Sequence, residues 1–325
     1  MREAAFLKKN ADKWKKFELL LNEKGPKEPD SLAELLVQLT DDLSYARTFY
    51  PGSKSSAYLN SLAANAHQKI YKNKKEEKTK IITFWRHDLP VLFYKHKDVL
   101  QISFAIFFIS FLIGTISTAN DTKFIRLILG DSYVNMTIEN IEKGDPMAVY
   151  KKMNEVDMFL GITFNNIRVS FFAFIAGIFF AFGTGYLLFS NGVMLGAFEY
   201  FFFQHNVLVQ SLLTVWIHGT LEISSIVIAG GAGILLGKSF LFPGTFTRRH
   251  SFVTGARDGV KMVIGLIPLF IAAGFLESFV TRHTEMPLLI NLLIIGGSLS
   301  FILWYVILYP KKISKGEADG SASKN

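Results

Sequence analysis

Residues 218–237 read HGTLEISSIVIAGGAGILLG, and this stretch decides the fold. One imidazole and one carboxylate, His218 and Glu222, stand at the head of an otherwise uncharged run. Four residues apart, they share one face of a helix. Further on, Ala229, Gly233 and Gly237 recur every fourth residue. Such a ridge of small residues lets helices approach closely in lipid. Gly231-Ala232-Gly233 is not a dinucleotide-binding turn, because no strand precedes it and the run suits lipid. The stretch therefore reads as a membrane helix with a polar patch near one end.

Working outward, further apolar runs flank it. Val99–Ser117 is 19 residues without a charge, Val169–Phe198 is 30, Tyr200–Leu221 is 22 and Met286–Pro310 is 25. Met262–Leu276 adds 15 between Lys261 and Glu277. A spanning helix needs about 20 residues. Residues 1–98 differ sharply, with 19 Lys/Arg and 13 Asp/Glu, against 30 charges in the remaining 227 positions. Such a distribution excludes a single water-soluble domain and a wholly disordered chain. The chain has no cysteine, which excludes disulfides and thiolate metal sites. No apolar run follows Met1, so no cleavable signal peptide is expected. The net charge of +8 is read as lysines beside lipid, with no nucleic-acid partner.

The charge of the loops orients the chain. Residues 118–166 carry five Lys/Arg against seven Asp/Glu, whereas residues 238–261 carry five Lys/Arg against Asp258 alone. Excess Lys/Arg marks the cytoplasmic side. Both termini and 238–261 are expected inside, and 118–166 outside. An even number of crossings follows, and the count closes at six: 99–117, 168–189, 193–216, 218–237, 259–280 and 288–309. The third contains Glu199 and Gln204-His205-Asn206, so a broken helix is expected there, facing protein or water. The expected fold is all-α: a polytopic transmembrane helix bundle of about six crossings, one broken, with an N-terminal cytoplasmic helical domain. Its parts are residues 1–98, the bundle 99–310 with external loop 118–166, and a disordered cytoplasmic tail 311–325.

Three apolar stripes predict the helices of the first part: Phe6, Trp14, Phe17 and Leu21; then Leu32 to Phe49; then Tyr58 to Tyr71. The first is at roughly helical spacing, and the second recurs at intervals of three or four. A break is expected at Gly25-Pro26, and a basic run, residues 72–78, follows the third stripe.

The order and spacing of several short motifs are similar to the stage II sporulation protein M family of bacterial membrane proteins. In the first part these are Phe6-Leu7-Lys8-Lys9-Asn10 with Trp14, Ala46-Arg47, Tyr58-Leu59-Asn60 and Ala66-His67. In the membrane part they are Asn165-Asn166, Ala173-Phe174 with Gly177, Gly183-Thr184 and Asn191-Gly192. His218-Gly219-x-x-Glu222 followed by Ala229-Gly230-Gly231-Ala232-Gly233 is the strongest. Ile217 departs from the family, which often has proline before the His-Gly pair. The resemblance implies an integral membrane protein of the cell envelope. Its sporulation members act as scaffolds for peptidoglycan-degrading partners. They lack an N-terminal domain like this one, so a sporulation role does not transfer.

Two polar sites are expected. In the first, Arg168, Asn165 and Asn166 at the outer start of the second helix meet His218, Gly219 and Glu222. Arg168 is the natural counter-charge for Glu222. The group either binds an ion, proton or lipid headgroup, or fixes helix register. In the second, Glu199 has His205 and Asn206 as partners. Gly177, Gly183, Gly230, Gly233 and Gly237 are assigned to helix packing, within the chain or in a homo-oligomer. His218 and Glu222 supply only two metal ligands, so neither metal nor other cofactor is expected. With no activated serine and no metal triad, catalysis is not expected. Two functions remain: a non-enzymatic scaffold with lipid and envelope proteins as partners, or a transporter or channel for an ion or lipid-like solute.

Overall fold

The computed structural model describes residues 2–22, 29–71, 79–151 and 154–314. The expected break at Gly25-Pro26, the basic run 72–78 and the tail from 315 onward lie outside the described residues. Contacts divide the chain into two units, Met1–Lys80 and Ile81–Asn325.

The first unit contains α1 (Glu3–Asn22), α2 (Pro29–Phe49) and α3 (Lys54–Tyr71). Helices this short need tertiary packing to persist. They bury Phe6, Trp14, Phe17 and Leu21 against Leu39, Leu43, Ala46, Leu59, Leu62 and Ala66. Among the residues whose side chains are described, the predicted stripes make the core, except that Phe49 and Tyr58 are exposed; Leu32, Leu35, Ile70 and Tyr71 lie outside that set. The Trp14 indole donates to Asp42 at 2.8 Å, which lets a large aromatic residue be buried without an orphaned N–H.

The second unit is a helix bundle. Six of its helices are long and apolar enough to cross a membrane: Lys97–Asn120, Glu155–Ile178, Phe182–Gln204, Leu208–Leu241, Arg248–Val280 and Leu288–Ser314. They are called the first to sixth spans below. The fourth is the hub, with 83% of its most apolar window buried, against 6% for the sixth. Its residues Val227 to Leu236 form one core with Phe107, Phe174, Leu188, Met262 and Phe270. Leu89, Leu92 and Phe93 belong to this core too. Residues 81–98 therefore pack with the bundle, and the division at Lys80 falls earlier than the drop in charge at 98.

Two expected spans are displaced. The uncharged run 169–198 is not one crossing. A turn at Phe179–Ala181, with Phe180 and Ala181 at φ of 53° and 66°, splits it between the second and third spans. The second span starts at Glu155, so Arg168 lies mid-helix and the expected loop 118–166 ends before 155. Charge counting placed these residues in a loop; a helix carries them by turning them outward. The third span then closes at Gln204. His205-Asn206-Val207 is a turn between two whole helices, with Asn206 at φ 61°, a conformation that asparagine tolerates. There is no break inside the third span.

The irregular span is the fifth. Pro268 cannot continue the hydrogen-bond ladder. Leu269 and Phe270 both donate to Leu266, and the Gly265 carbonyl accepts instead from the Trp85 indole at 3.1 Å. Tyr305 in turn donates to the Trp85 carbonyl at 2.6 Å.

Close packing concentrates on glycine. A Cβ on Gly177 would collide with the Gly233 carbonyl oxygen, and one on Gly233 with the Ala173 carbonyl. Gly230 and Gly237 are similarly approached by Leu188 and by the Ala181 backbone. Gly183 sits against the Ala176 carbonyl. All these contacts lie within the chain. The same device joins the first and third spans, where Gly114 and Gly196 meet the carbonyls of Val193 and Phe111.

At the end of the bundle opposite the 121–151 segment, Asp258 accepts from Lys95 at 2.7 Å and lies 2.9 Å from His96 Nε2. Lys238 pairs with Asp98. Burial pushes the His96 imidazole below its ordinary value, against the pull of Asp258. An unfolded chain then takes up the proton first as pH falls below about 6.5. Stability is expected to fall between pH 7.5 and 5.5 in melting curves of the detergent-solubilised protein, and less so in His96→Gln. In the same assay Gly177→Ala should cost about 1–3 kcal/mol through overpacking. Gly161→Ala, with open space at its Cβ position, should cost nothing.

Candidate functional site: a polar cluster inside the bundle

Three spans build the site. The fourth contributes His218 and Glu222, one turn apart on one face, as expected. The fifth contributes Glu277 from the five-residue π-helical turn Leu276–Val280, with Thr281 after it. The second contributes Asn166. His218 Nδ1 lies 3.0 Å from Thr281 Oγ1, and its Nε2 lies 3.8 Å from Glu277 Oε1. The latter is too long for a hydrogen bond. One ligand atom each of His218, Glu222 and Glu277 fit within 4.8 Å of one another.

His218 and Thr281 are buried, while the two glutamates keep a little exposure. The amide of Asn166 faces Glu222 without an aligned hydrogen bond, and its Nδ2 has no partner among the described residues. Thr163 and Ser170 lie on the same helical face as Asn166, and each has a buried hydroxyl oxygen without a partner there. Thr163 sits over Gly274 of the fifth span, which brings the second span against it.

The 121–151 segment covers this end. Its helices Phe124–Leu129 and Asp131–Glu142 pack Ile125 and Val134, with Met147, on Ala197, Phe201, Phe202 and Val215. Tyr150 sets its ring 5.7 Å from that of His218. Burial, with Glu277 nearby, pushes the Tyr150 phenol well above its ordinary value.

Several expected members are elsewhere. Arg168 and Asn165 are exposed on the outer face of the second span. The Arg168–Glu222 pair does not form: Asn166 faces inward, and Arg168, two residues on and about 200° further around the helix, faces outward. Gly219 meets only Ile223 and Val215 of its own helix at 3.6 and 3.8 Å, so it admits no close neighbour. Among the described residues, no Lys or Arg pairs with Glu222 or Glu277; Arg282 pairs with Glu155 at 2.7 Å. Glu277 was missed as a site residue because it closes an apolar run and reads as a flank. Its signal was an acid four residues before Thr281 in an expected span end.

The second expected site does not assemble. Glu199 is buried, and its Oε1 accepts from the Trp216 indole at 2.9 Å. His205 Nδ1 turns back to the Phe201 carbonyl at 2.8 Å, and Asn206 serves the turn. Glu199 thus ties the third span to the fourth.

Six membrane-compatible helices around a buried imidazole and two carboxylates define a polytopic helical membrane protein with a polar interior. The family model for stage II sporulation protein M matches residues 103–282, which includes the whole cluster. The match covers more than half of the chain, and the chain belongs to this family. A second model, a domain of unknown function (DUF8413), matches residues 4–72 in the first unit. No curated protein and no solved structure matches the chain.

The Glu199–Trp216 contact makes its own prediction. Trp216→Phe removes the indole donor from a buried carboxylate and should lower stability by about 1–3 kcal/mol. Glu199→Gln, which keeps an acceptor oxygen for the indole, should lose less in the same melting assay.

Proposed function

We propose that the chain is an integral membrane scaffold of the stage II sporulation protein M type, acting in bacterial cell-envelope organisation. The observation behind this reading is modular construction: a three-helix unit with its own core is joined to a membrane bundle with another. A scaffold needs a firmly packed anchor and a surface to offer partners. The glycine-on-carbonyl contacts supply the first, and the 1–80 unit the second. The reading seats the protein in the cytoplasmic membrane with both termini inside, as the Lys/Arg excess in 1–98 and 238–261 supports. The 121–151 segment then faces the envelope side. Its partners are envelope proteins and lipid, and the bundle carries out no chemistry of its own.

Deleting residues 2–80 provides the test. Proteins crosslinked to the full chain in cells are compared with those crosslinked to the truncated one. The truncated chain should stay in the membrane fraction and lose its cytoplasmic partners. An unchanged partner set would refute the docking role. Ion flux in reconstituted vesicles that depends on Glu222 would replace the scaffold reading with transport.

A further inference from the structure

We infer that His218, Glu222 and Glu277 bind a divalent transition-metal ion of the zinc class inside the bundle. The donor geometry is the first ground. Two donors about 2.1 Å from a shared ion stand about 3.4 Å apart at the tetrahedral angle and about 4.2 Å apart when opposed. The 3.8 Å between His218 Nε2 and Glu277 Oε1 lies in this range, and all three donors fall within 4.8 Å, so a side-chain shift of a few tenths of an ångström closes the set around one ion. A hydrogen-bonded pair would be closer.

Charge is the second ground. Two carboxylates in the interior of a membrane bundle are expensive unless neutralised. A dication cancels both at once, and the neutral imidazole completes three protein ligands with a fourth position open. One nitrogen and two carboxylate oxygens suit a first-row dication such as borderline Zn²⁺ or the harder Mn²⁺. Magnesium and calcium prefer all-oxygen shells, and Cu⁺ prefers sulfur.

The surroundings are the third ground. A metal-binding histidine usually donates its other ring N–H to a fixed acceptor. Thr281, fully buried, occupies that place for Nδ1, which leaves the Nε2 lone pair toward the carboxylates. Asn166, 5% exposed, points an unpartnered amide N–H at Glu222, where it can hold the carboxylate oxygen that faces away from the ion. Tyr150 closes the site on the side of the 121–151 segment. The inference does not depend on the scaffold reading.

The test uses the full-length protein purified in detergent, dialysed against chelator-treated buffer to which Zn²⁺ is then added at trace level. Elemental analysis should find about one zinc per chain, and added Zn²⁺ should raise the melting temperature of chelator-stripped protein. Co²⁺ loading should give the visible absorption bands of a low-coordinate site. Glu277→Gln and His218→Ala should abolish stoichiometric metal, and Thr281→Val should weaken binding about 10–100-fold. Glu199→Gln, outside the cluster, should bind as the parent does. The readouts on the parent protein need no variant to fold. Less than about 0.1 metal per chain, with no melting shift from Zn²⁺, Mn²⁺ or Co²⁺, would overturn the inference and leave protonated carboxylates as the neutral state. Stoichiometric metal that persists in Glu222→Gln/Glu277→Gln would overturn it equally.

Discussion

The contact of the Gly177 backbone with the Gly233 carbonyl holds the rest of the bundle in place. In lipid, apolar side chains gain little by leaving one apolar medium for another. Helices associate through dispersion contacts and polar bonds, and both need short distances. Along one ridge of the fourth span, Gly233 and Gly237 let the second span and the turn after it approach until backbone meets backbone, and Gly230 receives the Leu188 side chain of the third. The Thr184 hydroxyl adds a bond to the Ala173 carbonyl at 2.6 Å across the turn between these spans. A single Cβ on this ridge would push the neighbours apart.

The polar cluster depends on this closeness. His218 and Glu222 belong to the same helix as the glycine ridge, so the spans drawn in by the ridge also enclose the cluster. Asn166 arrives on the second span, and Glu277 and Thr281 arrive with the fifth. Next to Pro268 the Leu269 N–H turns to Leu266 and leaves the Gly265 carbonyl to Trp85, so the span that delivers Glu277 is irregular earlier along its length. The carboxylates are held in a tight interior by elements whose positions are set elsewhere.

The two units are built on different physics. The first buries Phe6, Trp14, Phe17 and their neighbours away from water, so its core is large and aromatic. In the second, Ala229, Ala232 and Gly233 line the closest helix contacts beside buried Phe107, Phe174 and Phe270, while many other large residues such as Phe164 and Phe182 face outward. That outward apolar surface is what a lipid environment requires.

Local pattern by itself determined much of this protein. Periodicity at three or four residues is a property of one helix, so the stripes of the first unit, the all-α class and the number of membrane-compatible helices were legible. So were the shared face of His218 and Glu222 and the small-residue ridge. Helix ends and partners were settled only by the tertiary structure. Hydropathy averages over a window, so it put the boundary between the second and third spans near 190–192, where a left-handed turn at Phe180 and Ala181 actually makes it about ten residues earlier. It treated Glu155 as a loop residue and Arg168 as a helix start, although a helix can carry charges on an outward face. It read Gln204-His205-Asn206 as a break within a span, although these residues end one span and turn the chain into the next. It gave no hint that Glu277 would meet His218, 59 positions away in the chain, because that distance depends on how closely two helices pack and not on either helix alone.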